Sequence, residues 1–143
     1  MSSGYRPCLI APDRPTVASF LKAQGYHTAI IGKWHLDFQY LDPASGKPVK
    51  RPKKGKVAPV GTKIPDGPTT RGFDTYHGFH HARDMKGVIE NDTVVEHDEP
   101  INMLPRLARE AVQYIDARSG GPPGQPFFLY VPLSSPHTPI VPT

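Results

Sequence analysis

Apolar residues along the chain alternate between helix-like and strand-like spacing. Val17, Phe20, Leu21 and Gln24 recur at helical intervals, three of them apolar, after an approach broken by Pro7, Pro12 and Pro15. Thr16, or a residue just before it, is placed to cap that helix, and Gly25 suits the left-handed position that stops one. His27–Ile31 follows at once, apolar and β-branched with no polar alternation, as in a strand covered on both faces. A second helix is predicted over 104–118, where Leu104, Leu107, Ala108, Ala111, Val112 and Ile115 draw a continuous stripe. Asn102 is its expected cap, Pro105 falls in its expected first turn, and Gly120-Gly121 ends it. Phe127–Val131 is another run apolar on both faces, and Val88–Glu96, with Glu90-Asn91-Asp92 in the middle, reads as a hairpin.

Twice, then, a helix leads into a buried strand, and each strand runs into a loop carrying histidine. Repeated helix–strand units predict an α/β fold with a mostly parallel sheet flanked by helices. Residues 1–143 are expected to form a single, incomplete domain, with 37–70 as a long Pro/Lys-rich loop. The elements are fewer than a doubly wound sheet needs, so an open edge and an exposed apolar face are expected.

Composition changes this picture little. The chain holds 18 prolines and 13 glycines, so turns and loops are abundant. Its net charge of +4 suggests nucleic acid only until the cations are located. Lys47, Lys50, Arg51, Lys53, Lys54, Lys56 and Lys63 share the loop, with no aromatic side chain between Lys47 and Lys63 on which a base could stack. A solvated loop is the better reading, and no nucleic-acid partner is expected. No stretch has the apolar length of a membrane span. A single cysteine, Cys8, excludes an internal disulfide and a cysteine-rich zinc site.

The candidate chemistry lies at the two strand ends. Lys33 and His35 close the first strand, with Trp34 between them expected to face the other way and pack; His137 follows the second. If the strands are neighbours, one ammonium and two imidazoles meet where open α/β sheets place their ligands. Such a cluster suits a tetrahedral oxyanion, with lysine neutralising charge and histidine donating to an oxygen. His77, His80, His81 and Asp84 suggest either a metal site or a pocket wall or loop, and the wall or loop is preferred.

Gly25-Tyr26-His27-Thr28-Ala29-Ile30-Ile31-Gly32-Lys33-Trp34-His35-Leu36 closely resembles the second signature of the sulfatase family, the arylsulfatase-like hydrolases. Arg71-Gly72-Phe73-Asp74 with Gly78-Phe79 resembles that family's RGFD…GF segment, and Pro126–Val131 through Ser135-Pro136-His137-Thr138-Pro139 resembles its PFFLY…PHTP stretch. The resemblance implies part of an alkaline-phosphatase-like fold and a sulfuric ester hydrolase acting on a sulfated small molecule or carbohydrate. By motif match it implies that Lys33 contacts the sulfate and that His35 hydrogen-bonds the hydroxyl of a formylglycine nucleophile. His137 would contact the sulfate and the leaving-group oxygen. Calcium is the implied metal, and the family is usually periplasmic, secreted or lysosomal.

Departures accompany the matches. Cys8 stands in Arg6-Pro7-Cys8-Leu9-Ile10 rather than in the C-x-P-S-R motif that carries formylglycine, and it reads as an ordinary thiol. Met1–Pro7 resembles the LLTGRYP piece that follows the motif, so the nucleophile and the metal ligands are expected outside these residues and the chain alone is expected to be inactive. The other expectations weighed are a phosphonate or phosphate monoester hydrolase of the same superfamily and a non-catalytic, degenerate anion-binding protein.

Overall fold

A computed structural model describes residues 6–49, 57–82, 84–120 and 125–135. They form α1 (Val17–Ala23), β1 (His27–Lys33), a 3-10 turn (Pro68–Thr70), β2 (Thr75–Phe79), β3 (Gly87–Glu90), β4 (Thr93–His97), α2 (Pro100–Ser119) and β5 (Phe127–Tyr130). The strands make one sheet in the order β4-β3-β2-β1-β5. β1 runs parallel to both of its neighbours, β2 and β5, while β2, β3 and β4 pair antiparallel. The predicted hairpin is present, and Asn91 makes its turn at φ 53°.

β1 sits between its partners and is buried along its middle, as its unbroken apolar sequence requires. Successive side chains point to opposite faces of a strand, so Ile30 and Ile31 enter two different cores. Ile30 joins Ala18, Trp34, Phe38, Tyr40, Phe73 and Tyr76 on one face. Ile31 joins Phe79, Val88, Met103 and Leu107 beneath α2 on the other. The described part of 37–70 feeds the first core: Phe38, Tyr40, Ala58 and Ile64 are all buried.

Both helices are where the periodicity puts them, but neither buries the expected stripe. Thr16 caps α1 in a reciprocal pair with Ser19, as predicted. Yet Val17 and Phe20 are 66% and 64% exposed, and Ala18 is the buried residue. The cause is a close approach at Gly72 (φ +98°), where any Cβ would collide with the backbone of Ser19. The helix meets the body of the protein through its smallest side chains. In α2 the buried line is Met103 and Leu107, with Ala111 and Tyr114 partly packed, while Val112 and Ile115 are exposed. The cap is Glu99 rather than Asn102, with Pro100 at the first helical position, which leaves Pro105 inside the helix rather than in its first turn. Asp98 explains the earlier start: its carboxylate accepts from the Glu99 N–H, the Asn102 amide and the Arg106 guanidinium at the positive end of the helix.

The Arg71–Asp74 segment is a structural clamp. Arg71 is 7% exposed and donates to the Ile10 carbonyl at 2.8 Å, while its own carbonyl accepts from the Thr16 hydroxyl at 2.7 Å. Phe73 stacks on Phe128 with centroids 6.5 Å apart. Asp74 accepts from the Thr28 N–H at 2.8 Å and pairs with Lys22 at 2.6 Å, which ties α1 and β1 to the start of β2.

A candidate anion site at the strand ends

The C-terminal end of β1 is built from main chain. Gly32 and Gly78 lie opposite each other in the β1–β2 register. A Cβ on Gly78 would collide with the Gly32 carbonyl, and one on Gly32 would collide with the Pro132 carbonyl. Three backbones therefore meet at a separation only glycine permits. The Lys33 N–H donates to the Pro132 carbonyl at 2.9 Å, the Trp34 N–H to Phe79 at 3.1 Å, and the His35 N–H to His80 at 2.8 Å. β1 and β5 are the adjacent strands that the convergence of Lys33 and His35 with His137 requires, and the chain leaving β5 is hydrogen-bonded to Lys33 itself. His137 lies outside the described residues, two positions beyond Ser135.

Beyond Lys33 the chain twists sharply. His35 and Asp37 have φ of 67° and 58°, a left-handed conformation that costs a non-glycine residue roughly 1–2 kcal/mol. Trp34 is buried, as expected, and its indole N–H donates to the Asp37 carbonyl at 3.0 Å, which closes the turn. His35 is thereby left exposed beside the half-buried Lys33.

The structure sorts the remaining histidines. His81 lies edge-on to His35 with ring centroids 4.3 Å apart. His80 is 1% exposed, its ring tilted against Phe38 with centroids 4.4 Å apart, with Nε2 3.5 Å from an Asp37 carboxylate oxygen and Nδ1 3.9 Å from Asp84. Burial drives its pKa down to about 4 against the pull of Asp37, and the imidazoles of His81 and His35 lower it further. His77 faces α2 instead. It lines a cavity of about 320 Å³ with Glu90, Glu110, Gln113 and Tyr114, and burial lowers its pKa against the raising effect of Glu110 and Glu90. Among the described residues no group of three or more His, Cys, Asp or Glu side chains is arranged to hold a metal ion. Asp37 is the residue the sequence did not disclose; its one mark is that aspartate tolerates the left-handed region better than most side chains.

Cys8 is half-buried, and burial pushes its thiol up, with weaker lowering by the Ile10 backbone and Arg71. Its backbone is fixed instead: the N–H donates to Asp66 at 2.7 Å, and the other Asp66 oxygen accepts from Gln39 at 2.7 Å.

A parallel strand end of this kind, carrying lysine and histidine over an α/β sheet, agrees with the match of residues 2–143 to the Sulfatase family model, and the chain belongs to the sulfatase family. Among curated proteins it is 32% identical to arylsulfatase G of Mus musculus over 90% of the chain and 26% of that protein. It is 29% identical to arylsulfatase J of Mus musculus over 94% of the chain and 21% of that protein. The chain thus spans about a quarter or less of the length of these relatives. A protein solved in work on glycosaminoglycan metabolism by Bacteroides thetaiotaomicron superposes with a TM-score of 0.71 at 17% identity, over 97% of this chain and 37% of that one. Ps i-CgsB, solved in complex with k-i-k-neocarrahexaose, gives 0.64 at 21% identity, over 97% of this chain and 30% of that one. The fold is part of the alkaline-phosphatase-like α/β architecture of the sulfatases. Among the described residues no helix is long and apolar enough to cross a membrane.

Proposed function

We propose that Lys33, His35 and His137 form the sulfate-binding half of a sulfuric ester hydrolase site. The observation that carries this reading is the hydrogen bond from Lys33 to Pro132 at adjacent parallel strand ends. It brings the chain leading to His137 against the lysine. The Lys33 ammonium neutralises charge on the non-bridging sulfate oxygens, which matters most as negative charge builds in the transition state. His35 presents its imidazole from the strained turn as a donor on the nucleophile side. As the ester's S–O bond breaks, His137 protonates the departing oxygen as general acid. Overall, a sulfate ester and water give an alcohol and sulfate.

A formylglycine nucleophile and calcium complete this reading by family resemblance. The described residues offer no fit for either: no ligand cluster is present, and Cys8 is half-buried outside the required motif. This reading assigns both groups to residues other than the described ones. Sulfated carbohydrates and aryl sulfates are the expected substrate classes.

The test is turnover of 4-nitrophenyl sulfate, a sulfated disaccharide and a phenylphosphonate monoester by the full-length protein. Lys33→Ala and His137→Ala are each expected to lower kcat/KM by about 10²–10³ on the sulfates. No hydrolysis of any sulfate ester would overturn the proposal. Faster phosphonate turnover would favour the sister activity, and inertness with retained sulfate binding would favour a non-catalytic anion-binding protein.

A further inference from the structure

We infer that Asp37 and His80 are positioning residues that hold His35 in its left-handed turn at the anion site. This inference rests on the hydrolase reading for its functional consequence, but its geometry stands apart from it. His35 and Asp37 both occupy a conformation that a free loop would leave, so the surrounding structure must hold them there. Two hydrogen bonds and one close side-chain approach do so, and all converge on this pair. The His80 carbonyl accepts the His35 N–H at 2.8 Å. The Asp37 carbonyl accepts the Trp34 indole N–H at 3.0 Å. The Asp37 carboxylate, which is fully buried, lies 3.5 Å from His80 Nε2.

The His80 ring is in turn fixed by packing, with the Phe38 centroid 4.4 Å and the Tyr40 centroid 6.1 Å away. Main chain and side chain of the same two residues therefore act together. Moving the His80 ring disturbs the Asp37 carboxylate, and moving its backbone releases the His35 N–H. Neither side chain opens to solvent, so neither contacts a substrate; they act through His35.

The full-length protein carrying Asp37→Asn or His80→Gln tests this, with wild type alongside. Two measurements are made: hydrogen–deuterium exchange of peptides covering 33–38 and 87–97, and steady-state turnover of 4-nitrophenyl sulfate. Exchange over 33–38 is expected to rise at least tenfold in both variants, with 87–97 unchanged. kcat is expected to fall at least tenfold, with KM within twofold of wild type. Wild-type exchange over 33–38 in both variants, or exchange raised equally over 87–97, would overturn the inference by showing no role or a merely general one. Wild-type kcat in variants whose 33–38 segment has opened would overturn it too. If wild type hydrolyses no sulfate ester, the hydrolase reading fails alone, and the exchange comparison still decides whether the pair holds the turn.

Discussion

One added carbon at Gly78 would have to share space with the Gly32 carbonyl, a backbone atom that cannot rotate aside. Gly78→Ala is therefore expected to cost about 3 kcal/mol or more, the upper end of overpacking, measured as a shift in the denaturant midpoint of the full-length protein. A mobile side chain in that position would have relaxed; a carbonyl in a sheet does not. His80 gives a prediction of another kind. Its folded pKa of about 4 lies below the unfolded value near 6.5, so the unfolded chain binds the proton first as pH drops. Stability is then lost between about pH 6.5 and 4, by up to roughly 3 kcal/mol, with Asp37, Asp84, His35 and His81 as the groups around the ring. Denaturant titrations across that window should show the slope in wild type and a flatter one in His80→Gln. The strand end at Lys33 and the inward turn of Trp34 could be read from one stretch of sequence because the order strand, glycine, cation, aromatic, imidazole is local. The role of Asp37 could not, since it depends on His80 arriving from 43 residues further on.

At the scale of elements, periodicity located both helices and the hairpin but misjudged which helical faces are covered. An apolar stripe states what a helix can bury, whereas the neighbour's shape decides what it does bury. For α1 the neighbour is Gly72, and for α2 it is a sheet that packs against Met103 and Leu107 and stops short of Val112. The Arg71–Asp74 segment resembled a family motif, yet its hydrogen bonds to residues 10, 16 and 28 are long-range and invisible to local pattern. Two tests belong here. Thr16→Ala should cost about 1 kcal/mol by removing the reciprocal cap of α1, read by chemical denaturation. Asp74 concerns acid stability: burial pushes its carboxyl up, but Lys22 and the Thr28 N–H and hydroxyl outweigh that and leave it below the usual range. Its stabilisation is therefore present above the unfolded value near pH 4 and lost as pH falls through the lower folded value. Asp74→Asn should weaken the protein at neutral pH while reducing the steepness of its loss below about pH 4.

Over the whole molecule the two sheet edges differ. The outer side of β4 is covered by 61–64, where Val94 and Thr62 and then Gly61 and Val94 exchange backbone hydrogen bonds. The outer side of β5 has no strand partner among the described residues, and Tyr130, Val131 and Leu133 beside it are 49%, 37% and 45% exposed. An apolar open edge invites pairing between copies. The 143-residue chain on its own is expected to aggregate, and Tyr130→Lys to reduce light scattering on warming; a sharp, reversible monomeric transition in the unmodified chain would contradict this. A last consequence follows from Asp66. One carboxylate receives the N–H of Cys8 and the N–H of Gln39, and the Leu9 N–H reaches the Leu36 carbonyl at 2.9 Å. The stretch around Cys8 and the turn after His35 therefore share a datum, like two scales read from the same zero. Displacement of one is carried to the other, so a substitution at Asp66 would alter the spacing between them without removing any chemical group at the strand ends.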